Sequence, residues 1–164
     1  MEKNIDFKDF KLPRWDDLPS VDQYLEQVLR LIDEWLGDYL NFDGKKILTR
    51  TMVNNYVKHN FIAAPENKKY DRDSIVCLFV IAILKPVYTI EEISRLISLS
   101  REANGIEASF NFFCELTEEA VHHAFNKTTM PKVTHEEDPR DLFWNVCNSF
   151  ATQLYVRYIY LQNR

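Results

Sequence analysis

Apolar residues recur at intervals of three and four along most of this chain, a spacing that places them on one side of a helix. The first such pattern runs from Val21 to about Leu40, and Ser20–Gln23 has the spacing of a capping box at its start. Further patterns and capping residues predict five more helices: one after Thr49, one after Asp71 or Asp73, a short one after Thr89, one from about Ile106 to Phe125, and one from Pro139 to about Leu161. We therefore predict an all-α fold.

The third predicted helix has no polar side. It ends before Pro86, and its apolar residues are Ile75, Val76, Leu78, Phe79, Ile81, Ala82, Ile83 and Leu84. A helix that is apolar all round is buried on every side. We expect this helix to lie at the centre of the core.

The second predicted helix has two different sides. Thr49 caps its start, and one side carries Met52, Val53, Tyr56, Val57 and Asn60. The opposite side carries five residues that can hydrogen-bond, none of them a carboxylate: Arg50, Thr51, Asn54, Asn55 and Lys58. A helix with one such side suits the major groove of DNA, where it can reach base edges.

The segment after this helix is predicted to end the helix and then to form a basic turn. Asn60 suits the left-handed residue that ends a helix, and Pro65 directs the chain away from the helical path. Residues 67–70, Asn-Lys-Lys-Tyr, predict the tip and return of a short β-hairpin, or wing. Lysines on such a wing can contact phosphates while the helix reaches the bases.

This arrangement resembles the winged helix-turn-helix of the MerR-type regulators. The resemblance covers residues 49–97 and rests on four short sequence elements. Asn54-Asn55-Tyr56 stands where that family has Arg-Tyr-Tyr, Asn60-Phe61-Ile62 where it has Gly-Leu-Ile, and Pro65 and Lys69-Tyr70 keep their places.

A closer resemblance is to a bacterial family, domain of unknown function 1836. The stretches MVNNYVK, IAAP, KKY and LKPVYTIEEI carry it. It is clear from Leu12 to about Arg101 and looser over the remainder. This second resemblance implies membership of a family but no activity, because the family has no assigned biochemical role.

The MerR resemblance implies a winged helix-turn-helix core over residues 12–100, which includes the long N-terminal helix, and a helical extension over residues 101–164. Length and composition predict that both belong to one domain spanning 1–164. The long N-terminal helix replaces the short first helix of that family, and an enlarged turn follows it. The implied recognition residues are Arg50, Thr51, Asn54, Asn55 and Lys58. The implied wing and flanking contacts are Lys45, Lys46, Lys68, Lys69 and Arg72.

The charge distribution favours one local docking face. The chain has 164 residues and a net charge of −5. Residues 44–72 contain seven Lys or Arg and two acidic residues, which leaves a net charge of −10 for the remainder. Including Asp43 and Asp73 reduces the local excess to +3. An acidic remainder opposes weak unspecific DNA binding.

Little in the sequence predicts catalysis. There is no glycine-rich phosphate loop and no nucleophile elbow, and the adjacent His122 and His123 point apart on a helix and cannot share a metal. Three isolated cysteines are typical of small buried hydrophobes: Cys77, Cys114 and Cys147. Three carboxylates of the fifth helix indicate a solvated side: Glu115, Glu118 and Glu119. We expect no enzymatic activity and no cofactor.

No apolar run approaches the ~20 residues that cross a bilayer, and residues 1–4 open no signal peptide. We therefore expect a cytoplasmic protein.

The last helix has more apolar and aromatic residues than one helical contact uses, with Tyr155, Tyr158 and Tyr160 widening its stripe. This surplus predicts a homodimer, unless the segment around Trp15 covers it.

Three functions stay open. The first is a transcriptional regulator that binds double-stranded DNA through residues 49–72. The second is a protein-interaction module that kept the fold and lost DNA binding, which is favoured by Asn54 where the MerR family has a phosphate-gripping Arg. The third is an enzyme or small-molecule sensor acting through the aromatic C-terminal helices. The sequence predicts no particular effector ligand.

Overall fold

The computed structural model describes residues 5–132 and 138–162. These ranges contain six α-helices: α1 (Leu25–Leu40), α2 (Arg50–Lys58), α3 (Arg72–Leu84), α4 (Ile90–Asn104), α5 (Ile106–Asn126) and α6 (Pro139–Val156). Two short strands, β1 (Gln23–Tyr24) and β2 (Lys69–Tyr70), form an antiparallel pair. The shorter elements are 3₁₀ turns at Phe7–Asp9 and Trp15–Asp17 and a π-helical turn at Arg157–Leu161. The predicted all-α class with a short β-hairpin is confirmed.

Helix α3 forms the centre of the core. Every residue from Ser74 to Leu84 is buried. Helices α1 and α4 pack against it, and the rings of Trp35 and Phe110 meet Phe79 edge-on, with centroids 5.8 and 5.5 Å away. Burial of each large apolar side chain contributes about 1.5–3 kcal/mol, so α3 alone provides much of the stabilisation of the core. The predicted central position of this helix is confirmed.

Side-chain caps fix the starts of α2, α3 and α4. Thr49 Oγ1 accepts a hydrogen bond from the Met52 amide at 3.2 Å, and Asp71 Oδ1 accepts one from Ser74 at 2.8 Å. Thr89 and Glu92 form a reciprocal capping box. These bonds satisfy amides that have no partner within the helix, which is why helices begin at these residues.

The predicted start of α1 is wrong. The helix begins at Leu25 instead of beside Ser20, and the Gln27 side chain accepts a hydrogen bond from the Tyr24 amide at 2.9 Å. Gln23 and Tyr24 are extended because they pair with β2, and Val21 is 68% exposed. A residue whose backbone is paired in a strand cannot also form the first helical turn. This tertiary pairing overrides the local capping pattern.

The predicted hairpin tip is present just before β2. Glu66 and Lys69 exchange two backbone hydrogen bonds of 3.0 and 2.9 Å. Between them, Asn67 and Lys68 have φ values of 50° and 64°. Two consecutive left-handed residues are the signature of a type I′ turn. The return strand then pairs with β1, and this pairing joins the turn to the start of α1.

The N-terminal segment lies along α5. The rings of Phe7 and Phe125 stack with centroids 4.0 Å apart, and the Trp15 amide donates to Asn111 Oδ1 at 2.8 Å. Arg14 and Glu118 form an ion pair with a distance of 2.7 Å between Nη2 and Oε2. The interpretation of Glu118 as solvated is therefore wrong: this residue is buried beneath the N-terminal segment.

A single residue, Gly105, separates α4 from α5. Its backbone has φ 75° and ψ 167°, a region that only glycine populates readily. Replacing Gly105 by Ala is expected to reduce the free energy of unfolding by about 1–3 kcal/mol through backbone strain. Urea denaturation monitored by circular dichroism measures the change.

Gly37 provides the matched control for this substitution. It lies within α1, and a Cβ added there would meet no atom within 4 Å. Gly37→Ala is expected to raise the free energy of unfolding by about 0.5–1 kcal/mol, because Ala has the higher helix propensity. Equal effects of the two substitutions would contradict the proposed strain at Gly105.

Candidate nucleic-acid interface

Helix α2 separates a buried side from an exposed polar side. Val53 is fully buried, and Met52, Tyr56 and Val57 are half-buried. All five residues of the other side are exposed: Arg50, Thr51, Asn54, Asn55 and Lys58. We call these five residues the polar face of α2. In the described structure this face contains no carboxylate of its own.

A tertiary contact holds the start of α2 in place, and a left-handed residue defines its end. The chain entering the helix is fixed by Lys85, whose Nζ donates to the Ile47 carbonyl at 2.7 Å. Burial lowers the pKa of Lys85, whose ammonium lies partly under this loop. At the other end Asn60 has φ 61°, as predicted for the residue that ends the helix, and the Phe61 amide donates to the Tyr56 carbonyl at 2.9 Å. The polar face is therefore presented by a helix that is attached to the core at its start and through the buried Val53.

Arg50 is exposed but has a partner. Its guanidinium forms an ion pair with Glu26 in the first turn of α1. Burial raises the pKa of Tyr70 in β2, and the charge of Arg50 acts in the opposite direction. Arg50 therefore joins the start of α2 to the first turn of α1.

The wing lysines and Arg72 have different surroundings. Lys68 is exposed at the tip of the turn, whereas Lys69 is half-buried with its Nζ 5.1 Å from the centroid of the Tyr24 ring. Arg72 is half-buried: its Nε donates to the Pro19 carbonyl at 3.2 Å and its guanidinium lies 4.9 Å from the Trp15 ring. Arg72 therefore joins α3 to the N-terminal segment, a role that sequence patterns did not indicate.

The loop before α2 contributes Lys45 and Lys46, and both are exposed. Lys45 Nζ lies 3.5 Å from Asp43 Oδ2, and the Lys45 amide lowers the pKa of that carboxyl by donating a hydrogen bond to it. Among the described residues, Lys46, Lys58 and Lys68 form no ion pair. Lys46, Lys58 and Lys68, which have no ion-pair partner in the described part of the chain, are therefore exposed on or near α2 together with the neutral side chains of Thr51, Asn54 and Asn55.

Other kinds of site have little support in the described part of the chain. No group of three or more His, Cys, Asp or Glu side chains there could hold a metal ion, and no helix there is long and apolar enough to span a membrane. All three cysteines are buried. Burial raises the pKa of Cys147 to about 12 and that of Cys114 well above its usual value. Thiols held protonated in this way are poor nucleophiles.

A family model described as "Domain of unknown function (DUF1836)" matches residues 13–113. The chain belongs to this family. The matched region of this DUF1836 protein includes α2, the β1–β2 pair, the central α3 and the first part of α5. No curated protein and no solved structure matched the chain. The predicted family is confirmed, while the MerR-like core stays a prediction.

The contacts of Arg72 predict that its side chain stabilises the fold, whereas the exposed side chain of Lys68 does not. Replacing Arg72 by Met removes a hydrogen bond from a charged donor and a cation–ring contact, so we expect the free energy of unfolding to fall by about 1–3 kcal/mol. Lys68→Met removes a charge from the exposed turn and is expected to change it by less than about 0.5 kcal/mol. Chemical denaturation of both variants measures the difference. A neutral effect of Arg72→Met would contradict the scaffold role.

Proposed function

We propose that this DUF1836 protein binds double-stranded DNA as a cytoplasmic transcriptional regulator, using the polar face of α2 and the turn before β2. The observation that carries the proposal is the composition of that face. Five exposed residues on an anchored helix can hydrogen-bond or carry positive charge, and within residues 5–132 and 138–162 the only carboxylate paired with them belongs to another helix, α1. Exposed helix faces of soluble proteins usually mix both signs of charge.

The side chains of the face match the two parts of DNA recognition. Asn54 and Asn55 carry carboxamides, which can bond an adenine edge in the major groove through two hydrogen bonds, and Thr51 adds a hydroxyl. Lys58 and the exposed Lys68 carry ammonium groups that suit phosphates. In this proposal α1 acts as the first helix of a MerR-like winged helix-turn-helix, and the type I′ turn acts as its wing.

Electrostatics supports a defined docking orientation. The positive excess of residues 44–72 lies within a chain whose net charge is −5. The rest of the surface would repel a phosphate backbone, so the basic region alone would approach DNA. Binding of this kind depends on salt, because each phosphate contact releases condensed counterions from the duplex.

The test is a salt titration of binding to a short DNA duplex. Replacing Lys58 and Lys68 together by Gln is expected to lower the salt slope by about two units, since each lost phosphate contact accounts for about 0.9 units. A control variant with the same charge change replaces Lys8 and Lys11, two exposed lysines of the N-terminal segment, by Gln. Its slope should equal that of the unmodified protein.

Equal slopes for both double variants would remove α2 and the turn from the DNA interface. Absence of DNA binding by the unmodified protein at low salt would overturn the proposal and favour a second function, a protein-interaction module. One observation favours that alternative. The guanidinium of Arg50, on the polar face, is already paired with Glu26 instead of being free to contact DNA. The module would then use the same exposed face to bind another protein.

We also propose that the protein is a homodimer joined through the end of its C-terminal helix. Tyr158 packs on Phe7 of the N-terminal segment with centroids 4.8 Å apart, so part of the predicted surplus is covered within the chain. Four apolar residues stay exposed by 39–65%: Val156, Ile159, Tyr160 and Leu161. In dimeric helix-turn-helix proteins, two-fold symmetry places the recognition helices about one DNA turn apart.

Analytical ultracentrifugation tests the dimer. We expect a dimer at micromolar concentration, and a monomer when Tyr160 and Leu161 are both replaced by Glu, because charged residues are unfavourable in a buried apolar contact. Val21→Glu, at another exposed apolar residue, should leave the assembly unchanged. A monomeric unmodified protein at high micromolar concentration would contradict this proposal.

A further inference from the structure

The ion pair between Glu26 and Arg50 lies at the edge of the polar face of α2. Glu26 is in the first turn of α1, and Arg50 is the first residue of α2. Both side chains are largely exposed, by 67% and 57%. An exposed pair of this kind is weak, so its two charges can exchange partners at little cost.

The backbone position of Glu26 is fixed by the fold. The pairing of Tyr24 with Lys69 holds the start of α1 beside the hairpin turn, two residues before Glu26. From this position the carboxylate reaches the guanidinium of Arg50, the first residue of α2. That end of a helix attracts anions, because its first amides lack partners and carry the positive end of the helix dipole.

A DNA phosphate approaching the polar face would meet the same two attractions. Carboxylates and phosphates both accept paired hydrogen bonds from a guanidinium, and both are favoured at a helix N-terminus. We propose that Glu26 is a built-in competitor of DNA, which must be displaced from Arg50 before Arg50 can contact a phosphate. This inference rests on the proposed DNA-binding function and assigns a regulatory contact within that site.

The competition has a signature in the salt dependence of binding. When Arg50 moves to a phosphate, a counterion leaves the DNA, and this contribution weakens binding as salt rises. The competing pair with Glu26 is also screened by salt, so displacing Glu26 costs less at high salt and part of that weakening is offset. Without the carboxylate the offset is absent, so the salt slope should steepen by a fraction of one unit.

The test uses Glu26→Gln and a matched control, Glu66→Gln. Glu66 is an exposed carboxylate in the hairpin turn and forms no ion pair among the described residues. Each variant is made alone and together with Arg50→Gln, and binding to a short random-sequence duplex is titrated with salt. Circular dichroism verifies that every variant is folded.

Glu26→Gln is expected to raise affinity by up to about fivefold, the range for an exposed ion pair, and to steepen the salt slope. Neither change should appear in the Arg50→Gln background, and Glu66→Gln should have the smaller effect on affinity and none on slope. An equal effect of the two glutamate variants, or an effect of Glu26→Gln that persists without Arg50, would assign the result to general charge and overturn the inference.

The outcomes also distinguish failure of this inference from failure of the proposed DNA-binding function on which it rests. If the unmodified protein binds DNA and Glu26→Gln leaves affinity and slope unchanged, the competition is refuted and the proposed function stands. If neither the unmodified protein nor any variant binds DNA at low salt, both are refuted.

Discussion

The whole structure depends on the burial of α3 on every side from Ser74 to Leu84. No side of this helix can face water, since its residues from Ser74 to Leu84 are all buried, and other helices must cover it. Helix α1 and helix α4 pack against it, and Phe110 of α5 contacts the ring of Phe79 in α3. Helix α2 contributes little to this core, because Val53 is its one fully buried residue. The opposite side of α2 therefore stays available for another molecule.

The helices and their caps could be predicted from the sequence because the signals are local. Apolar spacing identifies a helix within a dozen residues, and Thr49 or Thr89 caps an amide only three residues away. The failures involve partners far apart in the chain. The start of α1 depends on Tyr24 pairing with Lys69, and the burial of Glu118 depends on Arg14. No local pattern contains these pairs.

The candidate site could likewise be predicted only where local patterns determine it. Helical geometry alone predicts which side of α2 is exposed, and the structure agrees at all five positions of the polar face. It does not predict that Arg50 is paired with Glu26 or that Arg72 contacts Trp15 and the Pro19 carbonyl. Residues that look equivalent as positive charges therefore divide into those that stabilise the scaffold and those available for binding. Lys46, Lys58 and Lys68 belong to the second group.

The proposed contact between the polar face of α2 and DNA is open to a direct test. Nuclear magnetic resonance of the ¹⁵N-labelled protein, titrated with a short duplex at low salt, tests it most directly. We expect the largest shifts at the backbone amides of α2 and at the side-chain amides of Asn54 and Asn55, and these shifts should be reversed by added salt. Absence of shifts, or shifts confined to α6 and the N-terminal segment, would contradict the claim.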